Sequence, residues 1–287
     1  MKNKKIIYSG LILLFLTSLI LGGIILFLSE EKSAKVVFLD VGQGDSFLMT
    51  MGNRQVVVDG GESGKVLLEK MGKYVPFWDR KIEVLVLTHA DKDHIGGLFG
   101  VLKNYDVGTV IMTNYEKDSR VYGAWNGLIK RNGVEKVEAI DGVRVRFSDD
   151  VVMDIVYPFY SMDVVTGTAN DNSVGMRIDV GENSFLLTGD LSSKQEKKMI
   201  GSGLDLDVDI LKVGHHGSKY SSSEKFLSFT SPVEAVVSVG EGNRYGHPHE
   251  ETLKRLKDEN VNIVRTDQNG DIVYECRVNE ECVRLTE

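Results

Sequence analysis

Val84-Leu-Val-Leu-Thr-His-Ala-Asp-Lys-Asp-His-Ile-Gly-Gly97 changes character within one residue. Residues 84–87 form a short apolar run, β-branched enough to be a strand buried on both faces. His89, Asp91, Asp93 and His94 then crowd into one turn, and Ile95, Leu98, Val101 and Leu102 have helical spacing behind it. A buried strand thus delivers a loop with two imidazoles and two carboxylates, the nitrogen and oxygen donors that a divalent metal takes. His-x-Asp-x-Asp-His has enough donors to begin two metal sites. The opposing reading is an acidic surface turn with incidental histidines. It leaves unexplained why four donors follow directly on a buried strand.

Working outward, other strand-like runs end in the same kind of group. Asp59 follows 56–58, Asp190 follows 185–187 through Thr188-Gly189, and His215 and His216 follow 210–213. His247 and His249 lie beyond 236–239. All six histidines fall in three such loops, as expected where rigid strands hold a site and loops supply its chemistry. Asp190 is the natural bridging ligand, since one carboxylate spans two ions about 3.5–4 Å apart. His215 or His216 completes the second ion, and His215 is preferred because Gly214 and the strand place it nearer the mouth. Asp59 either caps a turn or orients a ligand. Ser218 and the serines at 221–223 cap a helix or bind phosphate at its N-terminus. Tyr245 and His247 position or protonate a leaving oxygen, or are structural.

Around these groups the chain reads as many strands with interspersed helices. Strands are predicted at 36–39, 47–50, 55–58, 84–87 and 109–112, with a Gly52-Asn53 hairpin turn and helices at 66–71, 95–102 and 122–131. The second half starts again with strands at 134–140, 143–147 and 151–157, then a polar loop at 161–172. Strands at 174–180, 184–187, 208–213, 235–239 and 261–266 follow, with helices at 193–200, 223–229 and 250–259. Two strand-rich halves, each with helices, predict two sheets packed face to face under outer helices. The hairpins argue against a doubly wound parallel fold.

The N-terminus is a separate matter. Lys2, Lys4 and Lys5 precede an uncharged apolar stretch at 6–28, which at about 1.5 Å per residue is long enough to cross a hydrocarbon core of about 30 Å. It exceeds the apolar region of about 7–15 residues in a secretory signal, although Ser33 and Ala34 leave cleavage open. The leading lysines put this end in the cytoplasm and the rest outside. The expected division is an anchor at 1–28, a linker at 29–34 and one domain at 35–287. Without the three lysines the chain holds 31 basic and 42 acidic residues, which is not the basic footprint of a protein that coats nucleic acid. Cys276 and Cys282 flank a turn near Asn279, and outside the cytoplasm they are expected to staple a terminal hairpin.

Six motifs occur together and in order: Val37-Phe-Leu-Asp-Val-Gly-Gln-Gly-Asp-Ser46, the 86–97 loop, Asn170-Asp-Asn-Ser-Val174, Phe185-Leu-Leu-Thr-Gly-Asp190, Leu211-Lys-Val-Gly-His-His-Gly-Ser218 and Arg244-Tyr-Gly-His-Pro-His249. Together they resemble the metallo-β-lactamase superfamily, specifically its ComEC-like branch, the extracytoplasmic domain of competence DNA-uptake channel proteins. The resemblance implies an α/β fold, a four-layer αββα sandwich, here preceded by a single transmembrane helix. It also implies a dinuclear centre in which His89, Asp91, Asp93 and His94 form the first ligand loop, Asp190 bridges and His215 closes the site. Asp59, Asn172, Ser173, His216 and Ser218 are expected around the ligands or against substrate. Two departures stand out. Asp91 occupies a position where many members have His, and no histidine occurs near 170–173. The ligand set is therefore rich in oxygen, which admits manganese beside zinc. The chain also has one candidate span, where ComEC proteins carry a multi-span channel, so it is not expected to be the pore.

The expectation is a membrane-anchored, extracytoplasmic phosphodiesterase with two divalent ions, Zn or Mn, cutting DNA with a metal-activated hydroxide. Asp93 would be ligand and proton acceptor, with His247 and Tyr245 on the leaving-group side. Its partners would be DNA or another phosphodiester, the membrane and a DNA-uptake channel protein. Alternatives are a hydrolase of envelope phosphodiesters, lactones or thioesters, and a non-catalytic DNA-binding domain.

Overall fold

Successive residues of the 84–87 run face opposite layers. Val84 and Val86 lie in a core between two sheets, while Leu85 and Leu87 lie in a second core beneath helices. The two-residue period of a strand accounts for both. The computed structural model describes residues 2–30, 33–159 and 167–285, so part of the expected polar loop at 161–172 lies outside the described residues.

Helix α1 (Lys2–Glu30) carries the apolar stretch, and its Ile7–Ile24 window has a mean hydropathy of 2.2 with none of it buried. By length and composition it can cross a membrane. Strands β1 (Ser33–Phe38), β2 (Phe47–Met51) and β3 (Arg54–Val58) follow, then helix α2 (Gly64–Met71) and β4 (Lys81–Leu87). Helices α3 (Lys92–Ile95) and α4 (Leu98–Asn104) lead to β5 (Asp106–Met112), α5 (Arg120–Asn132) and β6 (Glu135–Glu138). The second half runs β7 (Arg144–Arg146), β8 (Val151–Tyr157), β9 (Gly175–Val180), β10 (Asn183–Leu187), α6 (Ser193–Ile200) and β11 (Ile210–Lys212). Helix α7 (Glu224–Thr230), β12 (Glu234–Val237), α8 (Glu250–Asp258), β13 (Asn262–Arg265) and the single turn α9 (Thr266–Asn269) come next. Strands β14 (Ile272–Arg277) and β15 (Val283–Leu285) end the described chain.

One sheet has the order β15-β14-β1-β2-β3-β4-β5-β6 and the other β13-β12-β11-β10-β9-β8-β7. Their inner faces share one core, with Phe38, Met49 and Val86 facing Met176, Phe185 and Val236. Trp125, Leu98 and Leu67 cover the first sheet from outside, and Phe226, Met199 and Leu256 cover the second. The result is the predicted four-layer sandwich. The last hairpin does not extend the second sheet. β14 returns to pair antiparallel with β1, from Ser33↔Arg277 to Phe38↔Ile272, which covers an edge that would otherwise present unpaired backbone groups. Cys276 and Cys282 are disulfide-bonded across this hairpin.

The expected helix at 95–102 is instead two short helices broken at Gly96-Gly97. Here the chain passes so close to the β3 exit that a Cβ on Gly97 would lie 1.8 Å from the Gly60 carbonyl oxygen. That approach requires glycine. It presses the ligand loop against Asp59, and this contact builds the site.

Candidate metal centre

Strands β3, β4, β10, β11 and β12 all release their chemical groups at one edge, where the two sheets meet. Asp59, wholly buried with φ 54°, accepts hydrogen bonds from Thr88 N (2.8 Å) and Thr88 Oγ1 (2.5 Å), and His94 Nδ1 lies 2.8 Å from it. Asp59 therefore orients His94 and leaves its Nε2 pointing inward. His94 Nε2 is 3.5 Å from Asp190 Oδ1, and His89 Nε2 is 3.7 Å from Asp190 Oδ2.

The second sheet supplies the other wall. His215 (φ 48°) and His216 (φ 54°) are both left-handed, a conformation that costs an L-residue about 1–2 kcal/mol. The bonds from His215 N to Gly189 O (3.0 Å) and from Ser218 N to His215 O (2.9 Å) hold that turn. The His216 ring is fixed by its Nδ1, 3.0 Å from Ser238 O and 3.1 Å from Asp45 Oδ1. Its Nε2 lies 3.5 Å from Asp93 Oδ2 and 3.7 Å from Asp190 Oδ2. Asp45 in turn pairs with Lys212, whose side chain is only 3% exposed.

Charge follows from this crowding. Burial, then His94, depress His89 to about 4. Burial works against the charged forms of His216 and His94 as well, yet the carboxylates around them win. Asp190 and Asp45 raise His216 to about 9, while Asp190 and Asp59 raise His94 well above its ordinary value. Burial pushes Asp190 and Asp93 up, but the neighbouring imidazoles hold both below the usual carboxylate range. The site thus gathers ionised carboxylates, one neutral imidazole and two imidazoles whose protons a cation would displace.

His89 Nε2, His94 Nε2, His216 Nε2 and Asp190 Oδ1 are buried without any hydrogen-bond partner. Each such orphan costs about 1–3 kcal/mol if left unpaired. The groups His89/His94/Asp190 and Asp93/His94/His216 bring ligand atoms within 4.8 Å of one another. Two further groups, Asp45/Asp190/His216 and Asp45/Asp59/His94, do the same. Orphaned donors of these chemical types, converging at one point, fit divalent metal.

The family model of the metallo-beta-lactamase superfamily matches residues 39–241. The chain belongs to that superfamily. Its curated relatives place it in the ComEC-like branch. It is 31% identical over 268 residues to ComE operon protein 3 of Bacillus subtilis (strain 168), covering 85% of this chain and 33% of that protein. It is 32% identical over 265 residues to competence protein ComA of Neisseria gonorrhoeae, covering 89% and 35%. The chain thus spans about a third of the length of these relatives. Among solved structures, the diiron β-hydroxylase CmlA from Streptomyces venezuelae aligns with a TM-score of 0.55 at 16% identity over 85% of this chain and 54% of that one. Zn(2+)-bound PqqB from Methylobacterium extorquens aligns with 0.52 at 10% over 81% and 97%. Both show the shared fold. Membership of this superfamily makes the chain a metal-dependent hydrolase.

Not every residue expected at the site stands at its centre. Asp91 pairs with Lys117 and enters none of the clusters among the described residues. His215 Nε2 is 3.4 Å from Asp190 Oδ2, but its side chain is 31% exposed at the rim, and it is His216 that enters the clusters. Ser173 Oγ accepts from Asp190 N (3.2 Å), and Asn172 Nδ2 donates to Thr168 O (2.8 Å), so these two shape the bridging turn. Ser218 O accepts from Thr252 Oγ1 (2.9 Å), which ties the histidine turn to α8. The Tyr245 and His247 rings stack at 5.8 Å beside the opening, and burial together with His216 and His215 depresses His247 to about 4. Asp45, Lys212 and Lys117 were not anticipated. A lysine inside the apolar 210–213 run was the one local signal of a buried partner.

Proposed function

We propose that this chain is a membrane-anchored, extracytoplasmic phosphodiesterase that cuts DNA. The convergence of four orphaned buried ligand atoms at the sheet edge carries the reading. Relatives named for competence favour DNA as the substrate. His89, His94, Asp93, Asp190 and His216 would hold two divalent ions, Zn or Mn, with Asp91 and His215 as further donors at the rim. When bound, such ions supply Lewis acidity toward a phosphoryl oxygen and an acidified water.

The chain's own residues do the rest. Asp93, kept ionised by His216 and His94 despite burial, accepts a proton from the water. Tyr245, 46% exposed, receives a hydrogen bond from Arg244 Nη2 at 2.8 Å, which frees its own proton for the leaving oxygen. His247, neutral at pH 7, positions that hydroxyl through the stacked rings. Arg244 offers local positive charge to a phosphodiester on an otherwise acidic protein, so contact with DNA is confined to the mouth.

Lys2, Lys4 and Lys5, ahead of the apolar Ile7–Ile24 window of α1, favour an outward-facing domain, and the Cys276–Cys282 disulfide suits an oxidising compartment. The test is hydrolysis of single- and double-stranded DNA, a simple phosphodiester and a lactone by the full chain in detergent, with Mn²⁺ or Zn²⁺. Expected is metal-dependent DNA cleavage that Asp93→Ala abolishes. Equal inertness of wild type and variant with every metal sinks the enzyme reading, and preference for the lactone reassigns the substrate. Retention of less than about one ion per chain favours a binding domain.

A further inference from the structure

Two large aromatics stand in water at one corner of the domain. Phe77 is 80% exposed and Trp78 73%, with ring centroids 4.9 Å apart, edge to face. They occupy a turn between α2 and β4 that other atoms already hold. Asp79 N donates to Pro76 O (2.9 Å), and the Asp79 carboxylate receives Gln55 Nε2 (3.0 Å) and Lys81 N (3.1 Å). Neither aromatic side chain is needed for the turn or for the core.

Sheet register locates this corner. Lys35 pairs with Thr50 and Thr50 with Gln55. Val56 pairs with Val84, so Gln55 lies beside Glu83, and its N–H donates to Glu83 Oε2 at 2.7 Å. Two residues further out, Ser33 and Lys81 are level with each other, where β1 and β4 begin. Three strand spacings separate them, about 14 Å. Ser33 is three residues past Glu30, the end of α1, a connection that reaches about 10 Å at most. The candidate span and the aromatic pair therefore leave the domain from the same edge. His89 lies past the other end of β4, about 26 Å from Lys81 at strand rise.

Charge divides that edge. Below the second sheet it opens as a groove of about 590 Å³ where the carboxylates of Glu182, Asp209, Glu234, Glu280 and Glu281 outnumber one lining cation, Arg284, 3.2 Å from Glu234. The aromatic corner balances its charges, with Lys81 3.2 Å from Glu83 and Arg80 lying over the Tyr105 ring. Anionic headgroups repel the groove and accept the corner. Exposed tryptophan beside a membrane span is suited to the interfacial layer, where its ring is buried and its N–H stays wet.

We propose that Phe77 and Trp78 insert into the headgroup region beside the span and seat the domain with its metal-centre edge turned away from the bilayer. The proposal rests on α1 being a membrane anchor. It deepens the functional reading, because a site facing away from the lipid surface takes its phosphodiester from the aqueous side rather than from lipid headgroups.

The test uses the full chain in vesicles of phosphatidylethanolamine and phosphatidylglycerol. Trp78 and Trp125 are the chain's two tryptophans, and Trp125 is fully buried, so subtracting the Trp78→Phe spectrum isolates Trp78. Its emission is expected to be quenched at least about twofold by brominated acyl chains and shielded from acrylamide in the aqueous phase, as for an interfacial indole. Emission that acrylamide quenches and brominated lipid leaves unchanged overturns the contact. Flotation of the same vesicles after alkaline carbonate reads the span separately. A chain that floats while Trp78 stays in water refutes the contact and spares the anchor. A chain that does not float refutes both.

Discussion

The two loops that bring imidazoles to the centre are held in different ways. After β4, His94 is fixed through its side chain by Asp59, which follows the adjoining β3 and is itself held by Thr88. After β11, the backbone is a device as well, beside the hold of Ser238 O and Asp45 on the His216 ring. Two consecutive left-handed residues turn neighbouring rings to 77° and separate their centroids by 5.9 Å. The first arrangement places donors by local pattern, since a turn entering a helix sets the spacing of His89, Asp93 and His94. The second places them by strain that only the surrounding fold can enforce. Asp190 stands between the loops and serves both.

That division can be tested by substitution. Asp190→Ala removes the carboxylate shared by both loops. Hydrolysis and metal retention should both fail, with a rate loss on the order of 10³-fold. Activity surviving within about tenfold would mean that the two loops do not depend on a common ligand.

Asp45→Ala acts on the second loop through His216 and Lys212, although Asp45 also lies near His94 of the first and its partner Asp59. It leaves Lys212 buried and unpaired, and thermal unfolding should show a loss of about 3–5 kcal/mol. The double change Asp45→Leu with Lys212→Met should recover much of that stability without restoring His216 orientation or activity. If the single variant unfolds like wild type, the pair is not what supports this loop.

Asp59→Asn addresses the first loop. Asparagine tolerates the left-handed backbone at this position, so the change removes mainly the charge on His94. Metal titration should show affinity reduced by about 10–100-fold, with little change in unfolding temperature. A large loss of stability instead would mean that Asp59 is a structural cap first.

Asp271→Asn should have the smallest effect, about 1.5 kcal/mol of stability. Asp271 accepts from Asp40 N (2.9 Å), Lys70 Nζ (2.8 Å) and Tyr74 Oη (3.0 Å), and so clamps β14 to the loop that carries Asp45. Burial raises its pKa, but Lys70 and the Asp40 N–H outweigh burial and hold it below the ordinary value. A lowered folded pKa means that the contribution is complete above the unfolded value of about 3.9 and is lost as pH falls through the folded one. Wild type and variant should therefore converge in stability on acidification. A gap that stays constant down to about pH 2 would exclude the charge as its origin.

Legibility in the chain follows the range of the interaction. Strand β8 and helix α6 have the bounds predicted for them, 151–157 and 193–200, because their periodicity and flanking turns are local. The break at Gly96-Gly97 was not legible, since its cause is the Gly60 carbonyl in the loop after β3, distant in sequence. A Cβ on Gly44, likewise, would come within 1.9 Å of the Asp93 carbonyl oxygen. Through that contact the 40–46 loop, with Asp45 in it, packs onto the ligand loop. Lys212 in an apolar run signals a buried partner, but nothing near residue 45 or residue 212 identifies that partner as Asp45.

Local chemistry alone therefore specified a buried strand that ends in metal donors, the layered α/β architecture and an apolar N-terminal helix. Each depends on residues a few positions apart. Tertiary packing decided that His216 reaches the centre while His215 stays at its rim, that Lys117 engages Asp91, and that Phe77 and Trp78 share an edge with α1. Those outcomes depend on strand register, on strained backbone and on charges brought together across the sandwich, and no stretch of the sequence contains all the partners.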